Sequence, residues 1–383
     1  MDDKMLIRLS KSIVGKDEAQ AVERVICESG YLGMGEEVDL FEKEIAAFLG
    51  VPREWVVCVN TGTSALHLAV EAVTESGDEV LVQSLTYVAC FQAISGARAV
   101  PIPCEVYPET VTIDLDDAAK RVSPKTKVIM PIHYASNPGD LDEIYAFARS
   151  NGLRVIEDAA HAFGCRYNGR MVGSFGDIVC FSFDGIKNIT SGEGGAVVTS
   201  DAHVAQRIRD ARLLGVNRDT EKRFSGGRSW NFDVEHQGYR YHMSNVMAAI
   251  GRVQLRRFEG EFAPKRVRLA ERYRGRLSTI DGVKLFDVDL REVIPHIQPV
   301  RVINGKRDML RIYLKEKGIE TGIHYMPSHL FSYYGGGRIK LSVTEVLHKD
   351  ILSLPLHPML SLSDVDMVCN VIEEYLDGIH NIL

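Results

Sequence analysis

Asp177–Thr199 reads DIVCFSFDGIKNITSGEGGAVVT. Ile178–Phe183 is an apolar run of strand composition, and Ala196–Val198 is a second β-rich run. Between them lies a polar, glycine-rich loop carrying one lysine, Lys187. Its glycines permit sharp turns and close approach of the backbone to a ligand. A lysine held against a ligand there loses solvation, and desolvation favours the neutral amine that attacks a carbonyl. Read in isolation, the same lysine is equally compatible with a solvated loop position.

The sequence before this stretch alternates. Strand-like runs occupy 55–59, 78–82, 97–103, 127–133 and 153–157, and helical patterns occupy 65–74, 88–95, 114–122 and 140–150. With the two runs around Lys187 this makes seven strands. The pattern predicts an α/β fold with a mostly parallel seven-stranded sheet covered on both faces. Ligands of such sheets sit at the carboxyl ends of the strands. Thr63, Ser64, Tyr87, Asp158, Ser182 and Lys187 all fall there. Two amphipathic helices, 16–29 and 36–49, flank GYLGMG, which lacks the dinucleotide spacing and reads as a turn or arm. Beyond Ser200 a helix is expected over 202–213, then an irregular polar segment over 218–235. Residues 243–280 read as a long, arginine-rich, exposed helix crossing between domains. From Gly282, VKLF, IPHIQPVRVI and GIETGIHY read as strands, and 306–317 and 363–378 as helices. The expected division is a large domain over 1–255, including an N-terminal arm, and a small α+β domain over 256–383.

The bulk composition narrows the function classes. A net charge of −7 with no dense basic run argues against nucleic-acid binding. No apolar stretch approaches a membrane span, and the first residues lack a signal-peptide core. The seven cysteines contain no CxxC pair, so neither a metal site nor a disulfide framework is expected. Buried thiols in a reducing cytoplasm fit this set.

Three elements converge on one cofactor. NTGTS opens a helix directly after a strand, so its free amides and the Thr63 and Ser64 hydroxyls suit a phosphate, although helix capping alone uses the same residues. Asp158 ends the strand LRVIE, where an unpaired buried carboxylate is costly and a pyridinium nitrogen would pair with it. Lys187 supplies the amine. A phosphate cup, a pyridinium partner and an aldehyde partner are the handles of pyridoxal 5′-phosphate (PLP).

Taken in order, NTGTSALHLAV, SGDEVLV, IEDAAHAFG, VGSFGDIVCFSF, KNITSGEGGAVVT, MSNVMAAIG and LSLPLHP span nearly the whole chain. In these motifs the sequence resembles the DegT/DnrJ/StrS family of sugar aminotransferases. The resemblance implies an aspartate-aminotransferase-like (type I) fold and a homodimer with active sites at the interface. Lys187 would carry PLP as a Schiff base, and Asp158 would keep the ring nitrogen protonated. His161 would lie near the phenolic side, and Tyr87 would stack on the ring. Thr63, Ser64 and Ser182 would bind the phosphate. Relatives read GYNYRM where this chain reads GYRYHM, which places Arg240 where an Asn usually reaches a neighbouring subunit's cofactor phosphate. Arginine binds phosphate bidentately, so the contact can persist with altered geometry.

The implied reaction moves an amino group from glutamate to a keto-sugar, most often a nucleotide-linked 4-keto- or 3-keto-6-deoxyhexose, for amino-sugar and polysaccharide synthesis. Lys187 argues against the related dehydratases that use pyridoxamine phosphate (PMP), which carry His at this position. A cyclitol or other cyclic ketone as acceptor, and a regulatory role on the same fold, stay open. His324, Tyr325 and His329 in HYMPSHL, with Arg223 and Arg228, are candidate substrate contacts.

Overall fold

The computed structural model describes residues 6–216 and 233–380. Arg223 and Arg228 lie outside the described residues. The central sheet has seven strands: β1 (Val56–Val59), β2 (Glu79–Gln83), β3 (Val100–Cys104), β4 (Thr126–Met130), β5 (Arg154–Asp158), β8 (Ile178–Ser182) and β9 (Gly195–Thr199). Their spatial order is β1-β9-β8-β5-β4-β2-β3. The β2/β3, β2/β4, β4/β5 and β5/β8 pairs are parallel. β9 is antiparallel to both its neighbours. The reason is local: β8 and β9 are joined by a loop without a crossover helix, and such a loop returns the chain in the opposite direction. That loop carries Lys187. A two-stranded hairpin, β6 (Arg166–Tyr167) and β7 (Arg170–Met171), was not expected from the sequence.

Helices cover both faces. On β8, Ile178 and Cys180 point into one core with α3 (Gly62–Val73), α4 (Ala89–Gly96) and α7 (Ala202–Ala211). Val179 and Phe181 point into the opposite core with α2 (Glu36–Leu49). This is the period-two alternation of a strand buried on both sides. The first helix, α1 (Lys16–Arg24), runs into a π-turn over Val25–Ser29. Short helix α5 (Leu115–Ala119), through Ala118, and helix α6 (Leu141–Asn151), through Leu141, Ile144 and Ala148, cover the β2–β4–β5 side.

Residues 243–280 depart from expectation. Two helices, Asn245–Arg257 and Ala263–Leu277, are joined by a π-turn at Phe258–Phe262. One side of this unit is buried throughout: Leu255, Phe258 and Phe262 enter the core of the large sheet, while Leu269, Tyr273 and Leu277 enter a separate core. Arginine stems supply part of the packing surface, which the charge count hid. That separate core lies under an antiparallel sheet, β10 (Val283–Leu285), β11 (Gln298–Val302) and β12 (Ile351–Leu354). Helices Arg307–Glu316 and Leu362–His380 pack there too. GIETGIHY is not a strand: it makes only single bridges, Ile319 to Ile7 and Gly322 to Ser353. Helix Ser342–Asp350 and β12 went unread in the sequence. The N-terminal segment crosses from this second core, where Ile7 is buried, to the Lys187 loop, where Ser12 Oγ donates to Gly185 O at 2.5 Å. No helix among the described residues is long and apolar enough to cross a membrane.

Candidate active site

A cavity of about 470 Å³ opens at the carboxyl ends of β1, β5 and β8. Thr63, Tyr87, Asp158, His161, Ser182, Lys187, His324 and Tyr325 all line it. The structure thus brings together residues spread over most of the chain.

One end is built by α3. Thr61 is its N-cap and accepts from Ser64 N at 3.0 Å, so the amides of Gly62 and Thr63 precede any intrahelical acceptor. Ser182 closes this end from β8. A Cβ on Gly62 would sit 2.7 Å from Ser182 Cβ, so only glycine allows the helix and strand to meet this closely. Ser64 itself is buried beside the cavity and does not line it. Its hydroxyl donates to Asn60 Oδ1 at 2.8 Å and lies 2.9 Å from Thr61 Oγ1, so Ser64 braces the turn that presents the amides.

The floor is Asp158. Its Oδ1 accepts from Ala160 N at 3.0 Å, and its Oδ2 accepts from Cys90 Sγ at 2.9 Å. Burial, followed by the Asp158 charge, pushes the Cys90 thiol far up, so it remains a donor. Cys90 lies three residues past Tyr87 on the helix after β2, a placement that was available as a signal. The opposite wall is histidine-rich. His161 Nε2 lies 3.0 Å from Tyr325 OH, and the His161 and His296 rings are 4.5 Å apart between centroids. Tyr87, 59% exposed, tilts against Tyr325 with centroids 5.6 Å apart at the cavity mouth.

Lys187 Nζ lies 3.5 Å from His296 Nε2. Burial lowers the lysine pKa, opposed by the charges of Asp158 and Asp184. His296 is pushed far below the usual imidazole range by burial and then by Lys187; so is His161. His324 is pulled down to about 4 by burial and then by Lys187. All three imidazoles are therefore neutral at physiological pH. His296 was missed in the sequence. It stands 109 positions after Lys187, inside an apolar run that gives no sign of which wall it faces.

Two predicted residues lie elsewhere. His329, expected as a substrate contact, is 1% exposed, does not line the cavity, and bridges Ser84 Oγ at 2.7 Å and Glu345 at 3.4 Å. Arg240 is exposed and outside the cavity lining, on a segment that bridges to Leu213. The neighbouring Tyr239 and Tyr241 stack with centroids 4.9 Å apart, both against His67 of α3.

The donor set fits a phosphorylated aromatic aldehyde. Amides and hydroxyls occupy one end, a buried carboxylate the floor, and a desolvated amine the side. The Nδ1 atom of His161 has no partner among the described residues, which leaves polar capacity in the cavity wall.

This architecture is that of an aminotransferase. It matches the crystal structure of the aminotransferase TlmJ from Streptoalloteichus hindustanus with a TM-score of 0.90 and 34% identity, covering 98% of this chain and 100% of that one. The family model for the DegT/DnrJ/EryC1/StrS aminotransferase family matches residues 12–373, and the chain belongs to that family of sugar aminotransferases. The family's enzymes depend on PLP. The chain is 35% identical over 380 residues to the spore coat polysaccharide biosynthesis protein SpsC of Bacillus subtilis (strain 168), covering 96% of this chain and 97% of SpsC. It is 34% identical over 379 residues to the dTDP-4-dehydro-2,3,6-trideoxy-D-glucose 4-aminotransferase of Saccharopolyspora spinosa, with 97% of each chain covered.

Proposed function

We propose that this enzyme transfers an amino group from glutamate to a nucleotide-linked 4-keto-6-deoxyhexose, using PLP held by Lys187 and Asp158. The observation that carries the reading is that these two side chains share one cavity with the Gly62–Thr63–Ser182 anion cradle. The S. spinosa relative, which by its name acts on a dTDP-linked 4-keto-sugar, supports the choice of acceptor. When bound, PLP supplies a carbonyl for amine exchange and an electron-withdrawing ring.

Each residue has one task. The first amides of α3, with the Thr63 and Ser182 hydroxyls, hold the phosphate. Asp158, fixed by Ala160 N and Cys90 Sγ, would hold a proton on the ring nitrogen. His161, neutral and bonded to Tyr325, would stand toward the phenolic oxygen, and Tyr87 would cover the ring. Lys187 Nζ would take the donor's Cα proton as base and return it as acid. His324 and Tyr325 border the acceptor.

The cradle has an electrostatic gap. Among the described residues lining the cavity, Lys187 is the one lysine or arginine, while Asp158, Asp184 and Glu193 are acidic. A further cation would strengthen the hold on a phosphate dianion. We infer that Arg240 of a second copy supplies it, in a homodimer with sites at the interface. The chain divides, on this reading, into a large lobe over 1–255 and a small lobe over 256–383, with the cavity between them. Six of its seven cysteines are buried and all are free, which suits a reducing cytoplasm.

The test is spectroscopic. Purified enzyme should be yellow, lose that absorbance on adding glutamate, and regain it on adding the dTDP-4-keto-sugar. Lys187→Ala should abolish multiple turnover while the fold persists. Full turnover by Lys187→Ala, or no response to any amino donor, overturns the assignment.

A further inference from the structure

Arg266, in the helix Ala263–Leu277, is 2% exposed. Its Nη1 donates to Pro295 O at 3.3 Å and to His296 O at 3.1 Å, while Nε has no partner among the described residues. No carboxylate among the described residues offsets it: burial alone acts on its pKa, lowering it to about 10, so the group stays charged at neutral pH. A buried cation without an anion is costly, and neutral carbonyls compensate only in part. By contrast Arg307, another buried arginine that donates to two carbonyls, has Asp308 Oδ1 2.7 Å from its Nε. Arg266 stands directly behind His296, whose ring meets Lys187, and its positive charge acts on His296 and Lys187 alike.

We propose that Arg266 is a positioning residue for the active-site lysine: through the His296 backbone it fixes the imidazole against Nζ. Its buried positive charge adds to the effect of burial in disfavouring a charged Lys187. The reading rests on Lys187 being the PLP-binding residue.

The groups facing Lys187 set the sign. Asp158 from the end of β5 and Asp184 from its own loop favour the charged amine. The Cys90 thiol, His161, His296, His324 and Tyr325 surround it in neutral form. Arg266 is the cation that opposes the two aspartates. His357 also senses Arg266, with burial the larger influence on it, and stays neutral. Removing the Arg266 charge leaves burial alone to oppose Asp158 and Asp184, so Lys187 holds its proton to higher pH.

The experiment uses cofactor-free full-length protein. PLP is added across a pH series, the adduct is trapped with borohydride, and the modified Lys187 is quantified by mass spectrometry. Arg266→Met removes the charge. Arg266→Gln removes it too but keeps an N–H for the carbonyls, so it serves if the methionine variant does not fold. Both are expected to raise the pH midpoint of Lys187 modification. Arg307→Met, which removes a comparable buried staple from the second core, should lower thermal stability and leave the midpoint in place. An unchanged midpoint in the Arg266 variants, or an equal shift in Arg307→Met, overturns the proposal. Failure of the wild-type protein to label at Lys187 instead overturns the assignment of the lysine itself.

Discussion

Gly62→Ala tests the anion cradle with one methyl group. The new Cβ would lie 2.7 Å from Ser182 Cβ, 2.9 Å from its Oγ and 3.2 Å from its Cα. Ordinary contact begins near 3.4 Å, so helix and strand must separate by about 0.7 Å. Ser182 is buried in β8 between β5 and β9, and its Cα cannot swing aside as a long side chain could. Overpacking of this kind costs about 1–3 kcal/mol. The larger effect is on binding, because the Gly62 and Thr63 amides and the Ser182 hydroxyl stop converging on one point. Losing one hydrogen bond to a charged group costs about 1.5–3 kcal/mol, which is about 10- to 100-fold in affinity. The assay is an absorbance titration of cofactor-free protein with PLP and, in parallel, with pyridoxal, which has no phosphate. Gly62→Ala should weaken PLP binding by that factor and leave pyridoxal nearly unaffected. Equal losses for both, or no loss for PLP, would refute the placement of the phosphate.

Three other outcomes follow from the geometry. Asp158→Ala removes the floor carboxylate; cofactor retention after dialysis and turnover should both collapse, and unchanged absorbance and rate would leave Asp158 a turn-forming residue. His329→Ala should lower stability by about 1–3 kcal/mol through the bonds lost at Ser84 and Glu345, measured by urea unfolding, with KM for the sugar unchanged. Glu18 has its carboxyl pKa lowered: burial pushes it up, but hydrogen bonds from Gln254, Gly15 and Arg257 outweigh that. Its contribution to stability is present above its ordinary value and lost as pH falls through the lower folded value. Glu18→Gln should therefore be less stable than wild type at neutral pH and approach it in acid; a constant difference across that range would contradict the linkage.

Most strand and helix runs up to Thr199 were legible because the central strands there, such as β1, β8 and β9, are buried on both faces, and burial leaves a continuous apolar signature; the partly exposed β6–β7 hairpin left none. Beyond Gly282 the reading weakened. GIETGIHY carries strand composition, yet its backbone meets only Ile7 and Ser353 singly. Helix Ser342–Asp350 buries little beyond Thr344 and Leu347, so its apolar stripe is thin. His329 resembled a substrate ligand because HYMPSHL sets three polar rings close together; the chain turns between them, and only His324 and Tyr325 face the cavity.

The amino-acid order by itself determined the covered sheet, the loop that carries Lys187 and the strand end that carries Asp158, because these depend on periodicity and on residue types at strand termini. It could not determine that His296 meets Lys187, that Cys90 donates to Asp158, or that Arg266 is buried without an anion. Each of those contacts joins segments far apart in the chain. Packing α4 on the large sheet brings Cys90 to Asp158, and packing the second core against the carboxyl edge of that sheet brings His296 and Arg266 to Lys187.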